Sequence, residues 1–147
     1  MNSSLVYLVQ TDTTVGFSSS SDERLSEVKQ RPKSKKILHT VDSFKTLKEH
    51  TRIPKKFRKQ VRKATRTTFI YPNLKSFRVV NKEDNFYDFI HKFNILYSTS
   101  ANLTGKNFQK EFAHNVCDVV VIDKNNFSET TASKIIKLTK TSKKRIR

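Results

Sequence analysis

The chain has 147 residues, with 30 Lys and Arg against 13 Asp and Glu, a formal charge of +17. Two Gly and three Pro exclude a collagen-like or linker-type chain, and the single cysteine, Cys117, excludes an internal disulfide and a cysteine-rich zinc site. No apolar stretch is long enough for a transmembrane helix, and the opening MNSSLVYLVQ lacks the pattern of a signal peptide, so a soluble, cytoplasmic protein with one domain over 1–147 is the expectation.

Leu5–Val9 is a short run of strand formers and reads as a buried strand. Gln10–Phe17 reads as a Thr-rich loop. Ser20, with Glu23 three residues on, predicts a capping box for a short helix whose face carries Leu25 and Val28. That helix ends near Arg31-Pro32, because proline disfavours helix in the residue before it. Lys36–Val41 reads as a strand, and Asp42 as the cap of a helix holding Phe44 and Leu47. Pro54 suits the first turn of a further helix, in which Phe57, Val61 and Ala64 share one side and cations take the rest. Thr67–Tyr71 and Lys75–Val80 read as strands around a Pro72-Asn73 turn. Phe86, Phe89, Ile90 and Phe93 mark a helix face. Ile95–Ser98 is a strand that enters a loop over Thr99–Gly105, and a short helix holds Phe108 and Phe112. Asp118–Ile122 is a buried strand and Lys134–Leu138 another. Strands and helices alternate irregularly, which predicts an α/β (α+β) fold with a mixed sheet.

The charge speaks of partners rather than fold. Eight cations and no acid fall between Arg52 and Arg66, seven cations and no acid between Lys134 and Arg147, and five cations between Lys29 and Lys36. The basic helix, through Arg52, Lys55, Lys56, Lys59, Arg62, Lys63 and Arg66, is therefore a candidate RNA-binding element. A solvated, soluble face is the plain alternative. The four histidines are scattered without metal-ligand spacing, and Cys117 reads as a packing residue. No nucleophile elbow, P-loop or dinucleotide-binding glycine motif occurs. Any grip on phosphate must come from side chains, hydroxyls and helix ends. Three loops have that chemistry: Thr11-Asp12-Thr13-Thr14, Lys29-Gln30-Arg31-Pro32 and Ser98-Thr99-Ser100-Ala101-Asn102-Leu103-Thr104-Gly105. Arg forks onto phosphate oxygens and Lys acts as a point charge, so the two together suit an anion. Capping and turn roles are the alternative for all three.

These segments resemble a known family. STSANLTG is similar to the S/T-x-S-A-N-x-S-G signature of the YrdC-like family, the threonylcarbamoyl-adenylate synthases. KQRPKSKKIL resembles the family's K-x-R-P segment, and LVQTDTTVGF its P-T-D/E-T-x-Y-G-L segment. The three occur in the family's order. Fainter echoes are KATRTTFI, Phe77-Arg78-Val79, Ala132-Ser133-Lys134-Ile135-Ile136 and Arg147. The resemblance implies a twisted mixed sheet flanked by helices, with an open basic groove. It implies a reaction that joins L-threonine, bicarbonate and ATP into threonylcarbamoyl-AMP, with release of pyrophosphate. The product serves N6-threonylcarbamoyl modification of tRNA, which makes tRNA or other RNA, and the transferase proteins of that pathway, expected partners. Mg2+ is expected on the ATP phosphates, with no protein-liganded metal. By the same resemblance Lys29, Arg31, Ser100 and Asn102 form the catalytic, nucleotide-holding set, and Thr11 and Thr13 lie on the threonine side. Thr67, Ser98, Ser133 and Arg147 are further nucleotide-binding positions. The chain departs from the family pattern at Gln10, Val15, Lys36, Lys63-Ala64-Thr65 and Lys134. A non-catalytic RNA- or nucleotide-binding protein on the same fold is the competing expectation.

Overall fold

A computed structural model describes residues 1–147. Nine strands form one mixed sheet: β1 (Tyr7–Gln10), β2 (Val15–Ser19), β3 (Leu38–Val41), β4 (Thr67–Ile70), β5 (Ser76–Val79), β6 (Ile95–Ser100), β7 (Val119–Val120), β8 (Lys134–Leu138) and β9 (Lys143–Arg145). Their order is β7-β1-β2-β6-β3-β5-β4-β8-β9. Three neighbouring pairs, β1/β7, β3/β5 and β4/β8, are parallel and the others antiparallel. Five helices flank the sheet: α1 (Asp22–Val28), α2 (Phe44–His50), α3 (Arg58–Lys63), α4 (Tyr87–His91) and α5 (Lys110–Val116), with a 3-10 turn over Lys55–Phe57 before α3. The expected mixed α+β architecture is the one observed. No helix is long and apolar enough to cross a membrane.

Alternation along the strands divides the sheet into two faces. Phe69, Phe77, Val41 and Leu138 point to one face, where they pack with Leu47 of α2, Phe57 and Val61. Further along that face Leu8, Val15 and Phe17 meet Leu25 of α1 and Ala113 of α5. Each large apolar side chain so buried contributes about 1.5–3 kcal/mol before entropy is counted. On the opposite face Tyr7, Val9, Val80 and Leu96 pack under Phe86, Phe89 and Ile90, so α4 covers one part of it. The rest of that face, which carries Thr68, Ser76, Arg78, Ser98 and Ser100, stays open as a cleft.

Several local expectations shift. Gln10–Phe17 is a β-hairpin rather than a loop. Thr11–Thr14 makes the turn, and Val15–Ser19 pairs with β1 and β6. The cap of α1 is Ser21, whose side chain accepts from the Arg24 N–H; Ser20 does not cap it. The cap of α2 is Ser43, accepting from the Thr46 N–H, while Asp42 sits one residue earlier and accepts from Thr46 Oγ1 and His91 Nδ1. Asp118–Ile122 shrinks to Val119–Val120, because the Asp118 carboxylate is taken by the Val6 N–H and by Arg24, and Ile122 is 82% exposed. The basic stretch beyond Leu138 contains the edge strand β9, whose Lys and Arg side chains discourage further pairing.

Gly16 sits where β2 comes close to β6 and to the Thr11 side chain. A Cβ there would lie 2.9 Å from the Thr99 carbonyl oxygen and 3.0 Å from Thr11 Cγ2. Backbone cannot yield as a flexible side chain does. Gly16→Ala is therefore expected to cost about 1–3 kcal/mol, the usual penalty of overpacking. An unchanged urea midpoint would show that β2 and β6 are not so closely paired.

Candidate active site on the open face of the sheet

The cleft has a volume of about 450 Å3, and 24 residues line it, none of them Asp or Glu. Its cations are Lys29, Arg31, Lys35, Lys36, Arg78 and Arg147; its hydroxyls include Thr11, Thr13, Thr68, Ser98, Ser100 and Ser133. This donor set suits an anion with several oxygens.

Lys29 caps the C-terminus of α1 and is 4% exposed. Gln30 then takes a left-handed conformation with φ 51°, which reverses the chain after the helix. Lys29 and Arg31, two apart, thereby reach the same cleft. Lys29 Nζ donates to the Ser100 carbonyl oxygen at 2.7 Å, to Ser100 Oγ at 3.2 Å and to Asn102 Oδ1 at 3.3 Å. The ends of α1 and β6, 71 residues apart in sequence, are joined at one ammonium. Burial, and then the Arg31 and Lys35 charges, push the Lys29 ammonium down to about 8. Burial also lowers Arg31 from its usual value; its Nη2 donates to the Lys36 carbonyl oxygen at 3.4 Å, and its Nε is buried without a partner. A buried donor left unpaired is costly, and the side chain of Arg31 also lines the cleft.

The hairpin turn forms the second wall. Thr11 Oγ1 donates to the Thr14 carbonyl oxygen at 2.6 Å and accepts from the Thr13 and Thr14 N–H groups, both at 3.2 Å. Its spacing from Thr13 Oγ1 is 3.2 Å. Asp12, between them, turns the other way and takes Arg78. The Arg78 Nε donates to both carboxylate oxygens at 3.0 and 3.1 Å, and Nη2 approaches Oδ1 at 2.9 Å, with both side chains 4% exposed. Arg78 is thus a cleft residue already neutralised by its partner, and it anchors the threonine turn to β5.

The third wall comes from β4, β8 and the last residue. Ser133 Oγ lies 2.8 Å from Thr68 Oγ1, and Arg147 donates through Nε to the Ser133 carbonyl oxygen at 3.0 Å and through Nη2 to Ser133 Oγ at 3.4 Å.

The structure therefore gathers Lys29, Arg31, Ser98, Ser100, Asn102, Thr11, Thr13, Ser133 and Arg147 around one cleft. Thr67 is the exception. Its hydroxyl donates to the Thr65 carbonyl oxygen, and alternation along β4 gives the cleft to Thr68 and Ile70 instead. Arg52, Lys55, Lys56, Lys59, Arg62, Lys63 and Arg66 are exposed and none lines the cleft. The helix they surround packs on the opposite face of the sheet, against Phe69 and Phe77. Sequence reasoning missed Arg78, Thr68 and Lys35 as cleft residues. The alternation of Ser76 with Arg78 was the available signal for the first.

The family model Sua5_yciO_yrdC, described as telomere recombination, matches residues 5–147. No curated protein matches. Among solved structures, Pyrococcus abyssi Sua5 carrying H234A and Y235A is similar at a TM-score of 0.78 and 17% identity, over 98% of this chain and 52% of that one. This chain thus spans about half the length of that relative. The P. abyssi Sua5 complex with L-threonine is similar at a TM-score of 0.76 and 16% identity, over 98% of this chain and 50% of that one. Escherichia coli YciO has a TM-score of 0.76 at 16% identity, over 98% of this chain and 82% of that one.

Proposed function

This chain belongs to the Sua5/YciO/YrdC family, and we propose that its cleft joins L-threonine, bicarbonate and ATP into threonylcarbamoyl-AMP for the modification of tRNA. The observation that carries this reading is the convergence of Lys29 on Ser100 and Asn102 in a cationic cleft without a carboxylate. The P. abyssi Sua5 structure with L-threonine supports it by fold.

The reaction brings anions together. Threonine nitrogen attacks bicarbonate carbon, water leaves, and a carbamate results. A carbamate oxygen then attacks the α-phosphorus of ATP, and the bond to pyrophosphate breaks. Such a step asks for positioning and for charge stabilisation more than for a strong base. Lys29 and Arg31 hold phosphate oxygens from the cleft wall. Ser100 and Asn102 fix Lys29 and border the nucleotide. Thr11 and Thr13 face the threonine, on a turn pinned by Asp12 and Arg78. Arg147 and Ser133 close the far wall. The cleft gives a divalent ion no carboxylate, so Mg2+ would arrive on the ATP phosphates and offset their charge there.

Binding without turnover is the competing reading, and it draws on the departures from the family pattern. Gln10 and Val15 lie outside the cleft wall: Gln10 Oε1 accepts from the Ser128 N–H at 2.9 Å, and Val15 is buried in the core. They take structural positions, which favours catalysis. The test is pyrophosphate release by purified protein with ATP, Mg2+ and bicarbonate. Release that requires L-threonine supports the synthase; release absent while ATP binds supports the competing reading.

The lowered Lys29 value sets a pH limb. The ammonium is charged below about 8 and loses its proton above it. ATP affinity of the free protein is expected to fall as pH rises through that value. Bound phosphate favours the charged form, so the limb in the complex moves higher. Lys29→Arg keeps the charge and removes the limb. For folding the sign is opposite: the cost of burying the charge is present below about pH 8 and is relieved as pH climbs toward the ordinary lysine value, 10.5. A pH series of nucleotide titrations checks this, and a flat wild-type profile from about pH 7 to 9 would contradict it.

A further inference from the structure

The rim of the cleft carries two cations, Lys35 and Lys36, that the chemistry above leaves without a role. The segment between α1 and β3 is pinned at both ends. The Arg31 N–H donates to the Ser26 carbonyl oxygen at 3.1 Å, and Ile37 is buried in the core. Between these anchors the Lys35 N–H closes a turn on the Pro32 carbonyl oxygen at 3.0 Å. Lys33 leaves for Glu23, whereas Lys35 and Lys36 line the cleft. Alternation accounts for Lys36: with Ile37 in the core, Lys36 and Leu38 take the cleft face. Neither lysine has an acidic partner. After burial and the Arg31 charge, the Lys35 charge also helps to push the Lys29 ammonium down to about 8, so the two ammonium groups are neighbours. Lys36 stands where the family pattern has proline, and its cation is a departure from that pattern.

Strand register gives these lysines a side. The end of β6 carries Ser100, to which Lys29 is bonded. On one flank of β6, Gly16 of β2 pairs with Ser100, and β2 leads back to the Thr11–Thr14 turn. On the other flank β3 runs antiparallel with Leu38 opposite Ser98, and the same register continued brings Lys36 beside Ser100. The threonine turn and Lys36 thus lie on opposite flanks of the anchor of Lys29. In a displacement at phosphorus the attacking and leaving oxygens lie roughly in line. A carbamate oxygen arriving from the threonine side forms its bond to the α-phosphorus. The bond from that phosphorus to the bridging oxygen breaks on the far side, toward β3, and its electron pair leaves with pyrophosphate. We propose that Lys35 and Lys36 form a subsite for the β- and γ-phosphates and take up the departing pyrophosphate. The choice of a nucleotide rests on the synthase reading above; the placement of the two cations does not. Cations there offset charge that the leaving oxygen gains as the bond breaks. The subsite also makes affinity depend on phosphate number: AMP ends at Lys29 and Arg31, while ATP reaches the rim.

The test titrates AMP, ATP, inorganic pyrophosphate and L-threonine calorimetrically into the full chain with Mg2+ at about 0.15 M salt. The double variant Lys35→Gln with Lys36→Gln changes exposed side chains only. It is expected to bind ATP and pyrophosphate roughly fivefold more weakly or worse, the scale of two exposed ion pairs, and AMP and threonine within about twofold of the parent. Lys36→Pro, which restores the residue of the family pattern, is expected to show part of the same loss. The Lys36 N–H makes no backbone hydrogen bond that proline would break. Equal losses for AMP, ATP and pyrophosphate would overturn the inference, because a field spread over the cleft does not count phosphates. So would unchanged affinities, or a parent that binds ATP no more tightly than AMP. A loss confined to threonine would overturn it in favour of the amino-acid carboxylate. Threonine-dependent pyrophosphate release by the parent is judged separately: the expected affinity pattern without that release supports the subsite and counts against the synthase.

Discussion

Lys29→Ala is expected to lower threonine-dependent pyrophosphate release by roughly 10²–10³-fold, the loss typical of removing one donor aimed at developing charge. The geometry argues for the size. Lys29 is 4% exposed and its ammonium meets three oxygens of the Ser100–Asn102 segment. Alanine removes both the cation that offsets phosphate charge and the tie between α1 and β6. Water fills the gap and screens what remains. Lys29→Arg separates these losses: it restores charge but brings a planar fork where a point donor fits. Partial rescue in affinity with little rescue in rate is the expected split. Equal rates for Lys29→Ala and the parent would remove Lys29 from the chemistry.

Asp12→Ala is expected to destabilise the fold by about 3–5 kcal/mol, because it leaves Arg78 as an uncompensated buried charge. For a domain of this size that lowers the melting temperature by roughly 6–20 °C. The pair is bidentate and almost fully enclosed. It also carries the Thr11–Thr14 turn, so surviving protein is expected to bind threonine poorly. Replacing both partners by apolar residues of similar volume, Asp12→Leu with Arg78→Met, is expected to recover part of the stability and none of the threonine affinity. Calorimetry and threonine titration together check both halves. A loss under about 1 kcal/mol, the scale of an exposed pair, would contradict the burial described.

How far the sequence reaches is clear from particular residues. The helix faces of Leu25, of Phe57 and Val61, and of Phe89 and Ile90 were legible, because the 3.6-residue period of apolar side chains is a local property. Lys29, Arg31, Ser100 and Asn102 were grouped by the resemblance of their segments to the family's motifs, and all four line the cleft although they lie on different elements. Other features were decided by partners that no local window contains. Gly16 and the serines of β2 look like loop residues, yet they pair on both sides within the sheet. The capping positions missed by one residue, since neighbouring Ser20 and Ser21, or Asp42 and Ser43, offer the same oxygen chemistry. Thr67 and Thr68 differ only in which face of β4 they take, and the register with β8 decides that. The pairing of Arg78 with Asp12 was hidden because the two stand 66 positions apart. The side of the sheet that the basic helix occupies could not be read from charge, only from where Phe57 and Val61 are buried.

The cleft's chemistry is read most plainly by following the carbon of 13C-labelled bicarbonate. Purified protein is incubated with ATP, Mg2+ and L-threonine, quenched, and its adenylates are separated. The expected product is a mixed anhydride of the carbamate with AMP that carries the label, requires threonine and is lost in Lys29→Ala. Protein that binds ATP and threonine yet yields no labelled adenylate would contradict the synthase reading, and would leave the cleft a binding site without turnover.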